Sequence, residues 1–179
     1  MKIKKIVRNL FWICLLCTVL FFGLFHWICP EFINRYFPGK YSGPYEVVHI
    51  SDGDTITVMI DDHETVIRLI GVDTPESVDP DKTKNCEEGK TASDFTASLL
   101  SNQYVYLEYD EEKTDRYGRT LAYVYLNQKM VEEILLEEGM AKVMIIEPND
   151  RYEEMLKKAE YTARENNKGF WAEDFWSEN

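Results

Sequence analysis

The sequence is short of cysteine. Its 179 residues hold four, and Cys14, Cys17 and Cys29 fall near the N-terminus. Cys86 alone lies in the body, so no disulfide can form within it and the body must stand on its core. With no Cys or His at ligand spacing, Cys86 reads as an ordinary loop residue. Histidine is equally scarce. Of three, only His49 and His63 lie in the body, which supports no zinc site and no histidine-based hydrolytic motif. Positive charge is also missing from the body. The chain carries −12 overall, while its first forty residues hold six basic groups and one acid, Glu31. Residues 41–179 therefore carry −17. Such a surface excludes a non-specific grip on nucleic acid by bulk charge. Any anion must be held locally, with the help of a divalent cation. No internal repeat, low-complexity tract or D-x-D-x-D-G calcium loop is present.

Hydrophobic residues are not scarce. They make up 45% of the chain, with 13% aromatic, enough for a packed core. The most apolar stretch is residues 10–29, "LFWICLLCTVLFFGLFHWIC", long enough to span a bilayer. It follows a basic segment, 1–9, with Lys2, Lys4, Lys5 and Arg8. This order predicts a single-pass transmembrane helix with the N-terminus inside and the body outside. No small-x-small cleavage site precedes Pro30; if the segment is nonetheless removed, the body is secreted. Residues 30–44, punctuated by Pro and Gly, read as a linker.

From Tyr45 the pattern alternates. "YEVVHI", "TITVMI" and "ETVIRLIGV" read as a three-stranded meander, broken at "SDGD" and at Asp61, Asp62 and His63. Thr55, Thr57 and Met59 alternate against Ile56, Val58 and Ile60. A helix over "EEGKTASDFTASLLSN" follows, then strands "QYVYLEYD" and "RTLAYVYL". "KMVEEILLEEGM" reads as a helix closed at Gly139. A last helix is expected from Asn149 or Asp150 as N-cap. Five short strands with inserted helices predict an α+β fold, a small, partly open OB-fold-type β-barrel with three helices.

Charge within this frame is unevenly placed. Arg68 sits inside "VIRLI", on one face with Val66 and Ile70. A buried guanidinium needs an anion, either a neighbouring acid or a ligand. Asp52 and Asp54 bracket Gly53; Asp73 and Glu76 bracket Thr74 and Pro75. Carboxylates gathered at strand ends suit a hard cation such as calcium or magnesium. In "TDRYGRTLAYVYL", Arg116 and Arg119 flank Tyr117 and Gly118 at the entry to a strand.

Taken in order, "DGDT", "RLIGVDTPE", "DRYGRTLAYVYL" and "MVEEILLEEGMAKV" resemble the staphylococcal nuclease family, across roughly residues 45–171 of an expected domain at 45–176. The resemblance implies a calcium-dependent nuclease acting on DNA or RNA, single-stranded or frayed, and working as a monomer. It implies Asp54 and Asp73 as direct calcium ligands, Thr74 as a carbonyl ligand, and Asp52 as a ligand through water. Glu76 corresponds to the general base. Arg68 and Arg119 correspond to the two arginines on the scissile phosphate, and Tyr117 to a tyrosine that contacts the ligand phosphate; Arg116, also read as a substrate contact, stands where the family often has lysine. One block departs from the family. Before the late Pro-Asn pair, where tyrosines flank the base and sugar, this chain has Ile145, Ile146 and Glu147. The stacking that contributes about 1–3 kcal/mol per base is absent there. A catalytically silent nucleic-acid-binding module and a calcium-binding surface module are the competing classes. Loss of an acid or an arginine would mark the silent class, and every matched position is filled.

Overall fold

The computed structural model describes residues 40–77, 85–172 and 175–178, and 41–179 form one compact unit. The expected membrane segment at 10–29 lies outside the described residues; among the described residues no helix is long and apolar enough to cross a membrane.

Strands β1 (Ser42–Asp52), β2 (Thr55–Ile60) and β3 (His63–Leu69) form the expected meander. A short β4 (Gly71–Asp73), helix α1 (Glu87–Leu100), β5 (Tyr104–Glu108) and β6 (Thr120–Leu126) follow. Then come β7 (Lys129–Met130), α2 (Val131–Glu137), β8 (Lys142–Met144), α3 (Glu153–Glu165) and α4 (Phe175–Glu178). β1 starts at Ser42, paired with Leu107, so the strand takes in the end of the stretch expected as linker.

The barrel is closed rather than partly open. β1 pairs antiparallel with β2 and β5, β2 with β3, and β5 with β6. A parallel pairing of β3 with β6, with Arg68 opposite Leu121, joins the two edges. Closure leaves those two strands without a bare edge. Outside the barrel, β4 and β8 form a two-stranded antiparallel ribbon with Asp73 opposite Lys142.

Turn chemistry explains the meander. Asp61 and Asp62 both take positive φ, 49° and 62°, the conformation of the tight two-residue hairpin that Asp tolerates. Ile56, Val58, Ile67, Leu107 and Val124 are fully buried, together with Leu100 from α1, Leu135 from α2 and Leu156 from α3. Thr55 and Thr57 are buried as well, so β2 is covered on both faces and the alternation in "TITVMI" does not mark a wet face.

Two local expectations change. Cys86 is the N-cap of α1, its Sγ accepting from Gly89 N at 3.4 Å, not a plain loop residue. Helix α3 starts after Tyr152, which makes no side-chain cap bond. Asn149 cannot cap it because its amide is committed to Glu112, accepting from Glu112 N at 2.9 Å and donating to Glu112 O at 2.8 Å. Gly139 does close α2, at φ 70° one residue past the Glu138 C-cap.

Candidate active site

The acids converge because three chain segments meet at one end of the barrel. The β1–β2 turn supplies Asp52 and Asp54, the end of β3 supplies Arg68, and the β4 exit supplies Asp73 and Thr74. Gly53 makes the turn possible, since a Cβ there would press on the Thr74 side chain at 2.8 Å. Thr96 on α1 fixes the turn from behind, its hydroxyl donating to Gly53 O at 2.7 Å.

Arg68 is 8% exposed. Its Nη1 donates to Leu69 O and Val72 O, both at 2.8 Å. Its Nη2 lies 2.9 Å from Asp54 Oδ2 and 3.2 Å from Asp73 Oδ1. The anion beside Arg68 in this structure is thus a local pair of carboxylates, and both turn toward one cationic atom. Asp54 also accepts from Thr74 N and from the Thr55 hydroxyl, each at 3.0 Å. Asp52 is held by Gly53 N and the Ser77 hydroxyl, each at 2.9 Å. Burial, with the negative charge of Asp54, pushes the Asp73 carboxyl above the usual carboxylate range, against Arg68 and Lys142.

These oxygens fit a hard cation. The Asp54 and Asp73 carboxylates both face Arg68 Nη2, and the buried Oγ1 of Thr74, next in sequence to Asp73, has no hydrogen-bond partner. Among the described residues no three Asp, Glu, His or Cys side chains stand at ligand spacing. A cation here would therefore complete its shell with main-chain and water oxygens, a common arrangement for calcium. Glu76 is exposed, and its carbonyl accepts from Cys86 N at 3.1 Å, which pins its backbone to the start of α1.

Arg68 also lines a cleft of about 540 Å³. Arg68, Arg116, Tyr117 and Arg119 all line it, as do Met144 and Ile146. Arg68 is the expected site residue shared by the acid cluster and the cleft. Tyr117 lies between the two arginines, Arg116 at 4.8 Å and Arg119 at 5.5 Å from its ring centre. Asp115, absent from the expected set, organises this loop. It accepts from Tyr117 N and Arg119 N at 2.9 Å and from Arg119 Nε at 2.7 Å. Partial burial raises its carboxyl, but the Arg119 guanidinium and the two N–H groups outweigh this and hold it below the usual range. The sequence signal was an aspartate opening a turn, whose side chain bonds to the backbone two residues on. Ile146 is 64% exposed at the rim, an aliphatic side chain in the stretch that lacks the family's tyrosines.

Comparison with known proteins agrees with this architecture. Residues 66–173 match the staphylococcal nuclease homologue family. The chain is 47% identical over 128 residues to a thermonuclease of Staphylococcus hyicus, covering 72% of this chain and 75% of that protein. It is 39% identical over 174 residues to a thermonuclease of Staphylococcus intermedius, covering 94% and 98%. It is 37% identical over 127 residues to the SPbeta prophage-derived endonuclease YokF of Bacillus subtilis, covering 69% and 42%. With a closed five-stranded barrel, an acid cluster against a buried arginine and matches of this extent, the chain belongs to the staphylococcal nuclease family.

Proposed function

We propose that this protein is a calcium-dependent nuclease, hydrolysing phosphodiester bonds of DNA or RNA by attack of water on phosphorus. The observation that carries the reading is the position of Arg68, at the junction of a carboxylate pair and an arginine-lined cleft. Arg68 and Arg119 stabilise the charge that builds on the phosphoryl oxygens. Both are preorganised, Arg68 by two carbonyls and Arg119 by Asp115, so little reorganisation is needed when that charge appears. Arg116 and Tyr117 hold a neighbouring phosphate. Glu76, exposed at the β4 exit, takes the proton of the attacking water. Asp54, Asp73 and the Thr74 carbonyl, with Asp52 through water, would hold calcium, which supplies further positive charge beside the phosphate. The basic residues 1–9 and apolar residues 10–29 support a body tethered outside the membrane.

The test is cleavage of a single-stranded DNA by the full chain in detergent, with calcium or with a chelator. Wild type should cleave, and the chelator should abolish cleavage. Arg68→Ala, Arg119→Ala and Glu76→Gln should each lower kcat/KM by about 100-fold or more, the scale for a lost transition-state contact. Equal background cleavage by wild type and all three variants sinks the proposal; binding without cleavage would assign the silent class.

A further inference from the structure

The arginine loop and the aliphatic wall of the cleft belong to segments far apart in sequence, yet one knot of side chains joins them. Arg151, at the start of the segment leading into α3, reaches back to the end of β5. Its Nη1 lies 2.9 Å from Glu108 Oε1 and its Nη2 2.8 Å from Asp110 Oδ1. Nη1 also donates to Tyr109 O at 3.1 Å. Both acids are buried, Glu108 at 1% and Asp110 at 7% exposure. Tyr123 donates to Asp110, and Tyr125 and Tyr152 to Glu108. Two residues earlier, Asn149 clasps the backbone of Glu112 through both its N–H and its carbonyl.

These bonds fall on the two roots of the cleft. Residues 109–119 run from β5 to Arg119, and Asn149 and Arg151 hold that run at 110 and 112. On the other side, Asn149 N donates to Ile146 O at 3.0 Å, closing the tight turn that presents Ile146. Asn149 and Glu112 themselves line the cleft. The brace joins the exposed Arg151 to buried, multiply bonded acids and to the buried Asn149, a network that holds one geometry rather than several.

We propose that Asn149 and Arg151 are positioning residues, which fix the separation between the Arg119 loop and the Ile146 wall and so set where a substrate phosphate meets Arg119. The inference rests on the nuclease reading for its consequence, but not for the brace itself. Neither residue needs to touch the reacting atoms. A small drift of the loop is enough to matter, since misplacement of about 1 Å can cost about 100-fold in rate.

The test uses the full chain with Asn149→Ala, Arg151→Lys and Val58→Ala. Val58 is fully buried in β2, remote in sequence from both roots, and serves as a control for lost stability. Removing Arg151 outright would strand two buried acids and invite unfolding; lysine keeps the charge but gives up the two-pronged grip. Assays are run where all variants are folded by near-ultraviolet circular dichroism. Asn149→Ala should lower kcat/KM on single-stranded DNA by about 10- to 100-fold, mostly in kcat, and Arg151→Lys should follow in the same direction. Val58→Ala should keep wild-type kcat/KM despite a similar fall in thermal midpoint. Amide hydrogen exchange should quicken across residues 110–119 in Asn149→Ala and not in β2. Equal activity per folded molecule in all variants, or unchanged exchange at 110–119, overturns the brace. Inactive wild type with quickened exchange would overturn the nuclease reading while leaving the brace in place.

Discussion

Glu132 shows how much a single side chain can conceal. In "MVEEILLEEG" it looks like one of several solvated helix acids, yet it is fully buried at the start of α2. Both of its carboxylate oxygens accept from Val124 N, at 3.0 and 3.2 Å. Burial drives its pKa well above the ordinary 4.5, only partly opposed by its own backbone N–H, that of Val124, and Arg68. The sign follows from linkage. The folded protein keeps a proton that the unfolded chain has released, so this group's contribution is full below about pH 4.5 and is lost as pH rises through the folded value. Glu132→Gln mimics the protonated form at every pH. It should raise the thermal midpoint over wild type at neutral pH, with the gap closing toward acid. Each pH unit between the ordinary and folded pKa is worth about 1.4 kcal/mol. Thermal melts of both proteins across pH test this, because every other carboxylate is common to the two. A gap that stays constant with pH would rule it out.

At the scale of elements, the start of α1 governs where Glu76 stands. Gly89 looks like a weak point in a helix, and alanine is ordinarily favoured there by about 1 kcal/mol. Here a methyl group would overlap the Glu76 carbonyl, a backbone atom that cannot swing aside. Gly89→Ala should therefore destabilise the protein despite better propensity, and should cut nuclease activity by about tenfold or more by displacing Glu76. A more stable, fully active variant would show that the segment can yield. The same element explains what the sequence left illegible. The helix itself was expected over "EEGKTASDFTASLLSN", but Cys86 as its N-cap was not, since thiols are unusual caps. Asn149 failed in the opposite direction. It has the preferred chemistry for a cap, but a partner 37 residues away competes for its amide.

Across the whole molecule, acid predominates. A body at −17 gathers Arg68, Arg116 and Arg119 around one cleft, with Glu112 and Asp115 beside them. On single strands each neutralised phosphate contributes about −0.7 to the slope of log affinity against log salt. Arg68 and Arg119 share the scissile phosphate and Arg116 takes a neighbouring one, so two phosphates predict a slope of about −1.4, shallow for a nucleic-acid binder. Anisotropy of a labelled single-stranded oligonucleotide with Glu76→Gln in calcium, over a range of salt, measures it. A slope steeper than about −4 would require a basic contact face beyond these three residues.

What the sequence determined by itself was local and periodic. Alternation placed the meander, turn residues such as Asp61 and Asp62 set its hairpin, and the spacing of Asp52, Asp54, Arg68, Asp73 and Glu76 marked one region as charged for a reason. Those signals depend on neighbours within a few residues. Closure of the barrel by β3 and β6, the meeting of Asp54 and Asp73 on one nitrogen of Arg68, and the burial of Glu132 were decided only by tertiary structure. Each needs different elements of the fold to be brought into contact, and burial and hydrogen-bond partners are set by that contact rather than by the residue alone.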